Sequence, residues 1–416
     1  LAAARHAMTR MRRQMPRLGE LAPFLRPAKP KFNALEHAHT IAEIRRLARR
    51  HTPKGPFDYA DGAADDEIGD ARARAALDAV EFHPRVLVDV ADVDPSVSIL
   101  GQRSALPFGC APTGFTRMMH AAGEPAVARA AAAAGIPYTL STVGTTSVSE
   151  LAAAVPTARK WFQLYPFRDR ELTERLLHDA AAHGYDTLMV TVDCPVAGNR
   201  LRDVRNGMTI PPAISLKTVL DASIRPRWWF DFLTTEPYKF AFEHVSSLAM
   251  TDLSTRIMDS RTTYADIVWI RAHWRGALLV KGVLDADDAA RLVEIGADGV
   301  VVSDHGGRQL DRSIAPLHAL PAIRRRLGRD AVIMYDGGIR NGADIIAALA
   351  SGADFALIGR AYLYGLMAGG EEGVARALEI LRTELVRTMR LLGVPTIGDL
   401  SRAHIGQIVN QSPRKG

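Results

Sequence analysis

Cysteine is nearly absent: 416 residues hold only Cys110 and Cys194. Two cysteines cannot build a disulfide framework, so the sequence reads as a chain that stands on its core, in a reducing compartment. Long apolar runs are missing too. The longest uncharged stretch, 130–149, is interrupted by Gly135, Pro137, Gly144 and several hydroxyl residues. It reads as helix end, strand and loop, not as a span of about 20 apolar residues. Acids are missing before Glu20, where Arg5, His6, Arg10, Arg12, Arg13 and Arg17 accumulate without an apolar centre. That excludes a secretory signal and leaves a mobile basic arm over residues 1–38. With 47% apolar and 24% charged residues, disorder, collagen and coiled coil are excluded. The net charge of +6 suits an anionic ligand and does not call for nucleic acid.

Eight short apolar runs are present: Leu106–Pro112, Ile136–Ser141, Trp161–Tyr165, Thr187–Asp193, Ala277–Gly282, Gly299–His305, Ala331–Gly337 and Phe355–Arg360. Each is nearly continuous, as expected of a strand buried on both faces. Helix-like segments separate most of them. Glu124–Ala134 is rich in alanine, and Glu171–His183 sets Leu172, Leu176, Leu177 and Ala180 on one face. Asp285–Ile295 and Asn341–Ser351 each open on a capping residue and end before a glycine. The pattern predicts an α/β fold, a single (β/α)8 TIM barrel. Helices at 41–50 and 65–78 precede it and a helical tail, 371–392, follows. An open doubly wound sheet is the weaker alternative, because no GxGxxG turn follows any run. The spacing breaks between the fourth and fifth runs, which places a long insertion, about 203–263, after strand four. The barrel domain is expected over 39–405 and a tail over 406–416.

Chemistry in such a barrel sits where strands end. The ends carry Pro112, Thr113 and Gly114; Ser141; Gln163 and Tyr165; Thr191 and Asp193; Lys281; Ser303 to Arg308; Asp336 to Arg340; and Gly359 with Arg360. The ends of strands seven and eight pair bare glycines, Gly337, Gly338 and Gly359, with Arg340 and Arg360. Backbone N–H groups and guanidinium forks of this kind suit a phosphate. His305 can move a proton near neutral pH, with Asp193 across the rim to orient it and Arg308 beside it as a carboxylate clamp. Lys281 has two uses: a fixed positive charge against a developing anion, or a Schiff base. Tyr59, ahead of the barrel, and Arg200, after strand four, are weaker candidates on their own. No metal is expected.

The segments Tyr59–Gly62, Ala111–Gly114, Phe162–Tyr165, Thr191–Asp193, Val280–Gly282, Ser303–Asp311, Asp336–Arg340 and Ile358–Arg360 occur in order. Together they resemble the FMN-dependent L-2-hydroxy-acid dehydrogenase/oxidase family, with bacterial respiratory L-lactate dehydrogenases closest in character. The resemblance implies FMN as cofactor and His305 as the base that starts oxidation of the substrate carbon, supported by Asp193. It implies that Arg308, Arg200, Tyr59 and Tyr165 hold the substrate. Lys281 would stabilise the reduced flavin at its N1/O2 edge. Gly338, Arg340, Gly359 and Arg360, with Asp336 and Gly337 beside them, would form the FMN phosphate site. Pro112, Thr113, Gly114, Ser141, Gln163, Thr191 and Ser303 would line the ring and ribityl chain.

Three positions depart from the family pattern. Asp304 stands where asparagine is usual, Val143 where some oxidases have tryptophan, and Gly114 where many oxidases have alanine. They favour a dehydrogenase over an oxidase. The insertion gathers Trp228, Trp229, Phe230, Phe232, Tyr238, Phe240 and Phe242 beside Arg225, Arg227 and Lys239. Such a segment suits either a membrane–water interface or packing against the barrel or another subunit. The expected partners are a small 2-hydroxy acid, a quinone or other electron carrier, and further copies of the chain, a tetramer by analogy. The expected location is cytoplasmic, with a peripheral contact on the inner face of the cell membrane. An oxidase using O2, a dehydrogenase for mandelate or a longer acid, a Schiff-base aldolase using Lys281, and a non-catalytic phosphate-ligand module are the alternatives.

Overall fold

The computed structural model describes residues 34–207, 221, 223–235, 241 and 259–406. Most of the basic arm, the tail from 407 and much of the insertion, including Tyr238, Lys239, Phe240 and Phe242, lie outside the described residues. Three helices come first: α1 (Ile41–His51), α2 (Lys54–Asp61) and α3 (Ile68–Asp78). An antiparallel hairpin follows, β1 (Val97–Ile99) and β2 (Gln102–Ser104). Then β3 (Phe108–Cys110), β4 (Tyr138–Ser141), β5 (Lys160–Leu164), β6 (Thr187–Thr191), β7 (Ala277–Val283), β8 (Gly299–Val302), β9 (Val332–Asp336) and β10 (Phe355–Ile358) form a parallel sheet. It closes through β10 on β3, with Leu357 opposite Gly109. Each of the eight apolar runs holds one barrel strand, and the closure rules out the open sheet.

Around the barrel run α4 (Thr116–Met119), α5 (Gly123–Ala133), α6 (Val148–Ala154), α7 (Arg170–Ala182), α8 (Leu201–Arg205), α9 (Pro226–Thr234), α10 (Tyr264–His273), α11 (Ala286–Glu294), α12 (Pro316–Leu327), α13 (Gly342–Ala350) and α14 (Arg360–Leu392). Asp285 caps α11 by accepting from the N–H groups of Asp287 and Asp288, and Asn341 caps α13 through Asp344.

Alternate side chains of a strand face opposite sides. Leu188 and Val190, Leu278 and Val280, and Val300 and Val302 face outward into the layer between sheet and helices. Trp161, Met189, Leu279, Val301, Met334, Phe355 and Leu357 face inward and fill the barrel. Ile99 of the hairpin packs into this inner cluster. The hairpin is pinned there by Arg159, which donates to the Ile99 carbonyl at 3.0 Å and lies over the Trp161 ring. The barrel's lower end is thus plugged, and polar groups are left to its upper rim. The sequence reading misses the hairpin because three-residue strands carry almost no periodic signal.

The expected tail helix is only the second half of α14, which starts at Arg360 directly after β10. It breaks at Gly369 and Gly370, where Gly370 takes φ +59. The chain doubles back so that Gly365 and Gly373 meet backbone to backbone; a Cβ on Gly365 would lie 2.4 Å from the Gly373 carbonyl oxygen. As a whole α14 packs on α1 and α5.

In the insertion, Trp228 of α9 donates to the Met118 carbonyl at 3.2 Å and stacks on Phe232. Ile224, Phe230 and Leu233 are exposed. Among the described residues no helix is long and apolar enough to cross a membrane.

Gly365→Ala should lower unfolding stability by about 1–3 kcal/mol through overpacking, seen as an earlier denaturation midpoint. Gly398→Ala is the control. A Cβ there meets only the Thr396 hydroxyl, at 3.6 Å, and the midpoint should hold.

Candidate functional site

The inward parity that sets Trp161, Met189, Leu279, Val301 and Met334 in the barrel sets Gln163, Thr191, Lys281, Ser303 and Asp336 two residues further on, at the rim. They bond to one another. Ser141 Oγ donates to Gln163 Oε1 at 2.9 Å, and Gln163 Nε2 donates to Thr191 Oγ1 at 3.0 Å. Lys281 Nζ lies 2.7 Å from Asp336 Oδ2 and 2.9 Å from Ser303 Oγ, which itself donates to Asp336. Burial alone would lower the Lys281 ammonium. Asp336 and Asp193 outweigh it, so its pKa lies above the usual lysine value. Lys281 is therefore a fixed positive charge, whereas a Schiff base needs a neutral amine.

His305 takes a left-handed backbone, φ +58, followed by Gly306 and Gly307 at φ +63 and +70. This tight turn aims the ring back at Asp193; His305 Nδ1 and Asp193 Oδ1 are 2.9 Å apart. Asp193 is itself nearly buried. Burial pushes its carboxyl up, but His305 and Lys281 hold it below the usual range, and it stays ionised. The sequence reading names Gly282 and gives it no role. At φ +101, between two register-shifted pairs of β7 and β8, a Cβ there would lie 2.4 Å from the Asp193 carboxyl carbon. Only glycine leaves Asp193 its place. Two more residues went unassigned. Gln309 donates to the carbonyls of Asp193 and Val196, and its own oxygen accepts from Gly198 N–H, so it ties the His305 loop to the loop after β6. Cys194 Sγ lies 3.6 Å from His305 Nδ1. Asp193, Cys194 and His305 each bring a donor atom within 4.8 Å of the others, the one such group among the described residues.

Beside this pair stand two cations. Arg308 and Arg200 lie over the Tyr59 ring, 4.9 and 5.3 Å from its centroid. Arg308 donates to the carbonyls of Tyr59 and Gly62 and faces no carboxylate within ion-pair distance among the described residues. Burial, then repulsion from Arg200, pushes it down to about 10. Arg200 holds Asp203 at 2.6 Å. An uncompensated buried guanidinium is costly, and an anion bound against it relieves the cost. Burial keeps Tyr165 well above 10, so its phenol remains a donor.

At the far end, Gly337 and Gly338 take φ +126 and +74 ahead of Arg340. Asp344 fixes this loop by accepting from the N–H groups of Arg340 and Asn341, and Arg74 clamps Asp344 and the Gly338 carbonyl. Arg360 lines the same cavity, but its guanidinium donates to the carbonyls of Ala60, Gly62 and Gly306 and pairs with Asp70 at 2.8 Å. The Gly337, Gly338 and Gly359 backbone, the first turn of α14 and Arg340 face this end of the cavity. A Cβ on Gly359 would meet only Ala111, at 3.9 Å, so that glycine leaves open room at a helix N-terminus.

All these features surround one cavity of about 980 Å³, counting its open mouth, which lies at the upper size range of cofactor sites. The sequence-predicted residues line it, except Asp193 behind His305, and Gln163, Thr191 and Ser303 in the buried layer below. Val143 also lines it, and a Cβ on Gly114 would fall 2.4 Å from Val143 Cγ2; two of the three departures from the family pattern touch each other. The third is Asp304. Burial, then Asp336, pushes its carboxyl up to about 7, and its Oδ2 is buried without a partner among the described residues. It is neutral below that pH, so in that range it adds no second negative charge beside His305.

A carboxyl held above its unfolded pKa binds its proton more tightly in the folded state. Stability therefore falls as pH rises from about 4 to about 7, and levels off above, by up to roughly 4 kcal/mol. Asp304→Asn should remove this. Its unfolding midpoint should match the wild type near pH 4 and exceed it by a gap that widens to pH 7, measured by denaturation across that range.

The description of FMN-dependent dehydrogenases matches residues 48–407. A Mycobacterium tuberculosis protein provisionally named an L-lactate dehydrogenase is 54% identical over 405 residues, 96% of this chain and 98% of its own. The L-lactate dehydrogenase of Caulobacter vibrioides is 42% identical over 91% of this chain and 99% of its own. The crystal structure of a monotopic membrane protein, (S)-mandelate dehydrogenase, superposes with a TM-score of 0.85 at 38% identity, over 89% of this chain and 99% of that one. The chain belongs to the FMN-dependent 2-hydroxy-acid dehydrogenase family and is an oxidoreductase of the (β/α)8 class.

Proposed function

We propose that this protein oxidises a small L-2-hydroxy acid, L-lactate first among them, to the 2-oxo acid, and passes the electrons to a quinone rather than to O2. The observation that carries the reading is the meeting of Arg308 and Arg200 over Tyr59 in the same cavity as the His305–Asp193 pair. A 2-hydroxy acid has a carboxylate for the first group and an acidic carbon–hydroxyl unit for the second. The names of the first relatives support lactate. Mandelate is the second reading, supported by the (S)-mandelate dehydrogenase likeness.

The residues present fit FMN: open room at Gly359, a helix N-terminus and Arg340 for a phosphate, and Lys281 for a negative charge. Gly337, Gly338, Arg340, Gly359 and the start of α14 would hold the phosphate end. Pro112, Thr113, Gly114 and Ser141 would line the ring and ribityl chain, with Gln163, Thr191 and Ser303 bracing them from below. Bound FMN supplies the two-electron redox chemistry. Arg308 and Arg200 fix the carboxylate with charge-assisted bonds, and Tyr59 and Tyr165 donate to it and to the hydroxyl. His305 takes the proton from the substrate, and Asp193 orients the ring and stabilises the imidazolium. Lys281, kept charged by Asp336 and Asp193, would supply a fixed positive charge beside the cofactor. Arg360 ties Ala60, Gly62, Gly306 and Asp70 together, and so holds the cradle's walls.

The same reading divides the chain into a basic arm (1–38), a catalytic barrel (39–405) and a tail (406–416). It sets α9 against a membrane surface, supported by exposed Phe230 and Leu233, and expects a homo-oligomer.

Anaerobic L-lactate should bleach the bound flavin and D-lactate should not, with glycolate and L-mandelate ranking the pocket. Slow recovery of colour in air would set dehydrogenase apart from oxidase. His305→Gln should cut turnover by about 10²–10⁴-fold with flavin retained; unchanged turnover would refute its role. Gly282→Ala should displace Asp193 and cost about 10²-fold, again with flavin retained, as read from steady-state rates and the visible spectrum.

A further inference from the structure

Cys194 takes no part in the chemistry proposed above, yet it stands against the groups that do. Its Sγ lies 3.3 Å from Asp193 Oδ1 and 3.6 Å from His305 Nδ1, and those two atoms are 2.9 Å apart. A tetrahedral zinc ion with one sulfur, one nitrogen and one oxygen ligand sets the same three edges at about 3.4–3.6 Å. The triangle is within about 0.5 Å of one that holds zinc, and the largest adjustment is a slight parting of His305 from Asp193. A thiolate, an imidazole and a carboxylate select an ion such as Zn2+ or Cd2+ over Mg2+ or Ca2+. The Asp193 carboxylate has acceptor capacity to spare, since its Oδ2 is buried without a partner among the described residues. Tyr165 bonds to the same sulfur and can donate to it as a thiolate. An approach exists as well. A second cavity, about 680 Å³ with its open mouth, adjoins the main one at Cys194 and Tyr165, which line both. Asp259, Ser260, Thr262 and Thr263 line the second cavity and offer oxygen atoms to an ion on its way in.

We propose that Asp193, Cys194 and His305 form an inhibitory site for Zn2+, which silences the base of the reaction and leaves the carboxylate clamp in place. The kinetic half of this rests on the function proposed above. With no ion bound, the ionised Asp193 only accepts, so His305 carries its proton on Nδ1 and keeps Nε2 as the base. Zinc takes Nδ1. The neutral ring then carries its proton on Nε2 and can accept no other. Cys194 gives its thiol proton to solvent as the zinc–sulfur bond forms. One negative charge and a dipositive ion become a neutral cluster and one free proton, so charge balances. Neutrality matters because Lys281 acts on both Asp193 and Cys194 and would repel a bare dication. Arg308, Arg200 and Tyr59 are not ligands, so the hydroxy acid still binds. Zinc therefore lowers kcat and leaves KM nearly alone. A purely structural Cys194, a small buried donor to Asp193, would need only its S–H group, and a serine hydroxyl would replace it.

The experiment uses the flavin-loaded full chain, with Cd2+ to read binding and Zn2+ to read turnover. Cd2+ should raise a thiolate-to-metal charge-transfer band in the ultraviolet that saturates at one ion per chain, and Cys194→Ser should lose it. The other cysteine, Cys110, is fully buried in β3. X-ray absorption of the wild type at one equivalent of zinc needs no variant. It should show one sulfur at about 2.3 Å among nitrogen and oxygen neighbours at about 2.0–2.2 Å. In turnover with L-lactate, Zn2+ should lower kcat at least about tenfold with KM within about twofold. EDTA should restore the rate, and Mg2+ should have no effect. Cys194→Ser, compared with its own zinc-free rate, should need at least about tenfold more Zn2+ for the same inhibition. No band in the wild type, a zinc shell without sulfur, or equal inhibition in Cys194→Ser would overturn the assignment. So would a rise in KM at constant kcat, the mark of an ion on the substrate groups. Failure of every hydroxy acid to bleach the flavin would instead refute the proposed function, and the band and the zinc shell would still decide the site.

Discussion

The two-residue repeat of a strand, multiplied by closure of the barrel, is the constraint on which the site depends. Once Trp161, Met189, Leu279, Val301 and Met334 are committed to the inner core, the residues two places on must also face inward, now at the rim. An apolar floor and a polar rim are therefore one register decision. A one-residue slip in β7 would turn Lys281 out among the helices and put Val280 in its place. The chain resists that slip because both faces of every strand are filled: Leu278 and Val280 have their own layer outside.

Electrostatics then sorts the rim. Asp336 and Asp193 keep Lys281 charged, and His305 and Lys281 keep Asp193 ionised, while Arg308 is crowded by Arg200 and matched by no carboxylate among the described residues. One end of the cavity is balanced and the other is not. The unbalanced end is where an anion belongs, and the backbone beside it is fixed in advance by Arg360, which holds the carbonyls of Ala60, Gly62 and Gly306; at the far end Arg74 and Asp344 do the same for the loop before Arg340. This is preorganisation in the strict sense: the donors hold their geometry at the expense of unmet charge.

Much of this was legible in the sequence, for identifiable reasons. Strands buried on both sides leave continuous apolar runs, and helix caps at Asp285 and Asn341 announce themselves by residue type. Positions at strand ends follow from parity, so His305, Lys281 and Asp336 could be placed together before any coordinates. What stayed hidden depends on contacts between distant segments. Gly282 matters only because Asp193 lies against it, and Gln309 only because it reaches the loop after β6. The Gly365–Gly373 crossing needs a reversal inside what reads as plain helix. Arg360 reads as a phosphate fork by its neighbours in sequence, and only its neighbours in space, three carbonyls and Asp70, show that it also ties the cavity's walls together. The hairpin that plugs the barrel is too short to show a period at all.

The touching of position 114 by the Val143 side chain reaches beyond geometry. Bulk at 114 meets both the Val143 side chain and, at 2.9 Å, its carbonyl oxygen, so it is admitted only if the side chain recedes and the backbone there gives slightly; the two sites form a single steric unit. Lineages can cross between the pairings by shrinking first and growing second, and the reverse order passes through a collision. The cavity wall they form is thereby historically ordered: which shapes a descendant can reach is set by the sequence of its mutations as much as by their sum.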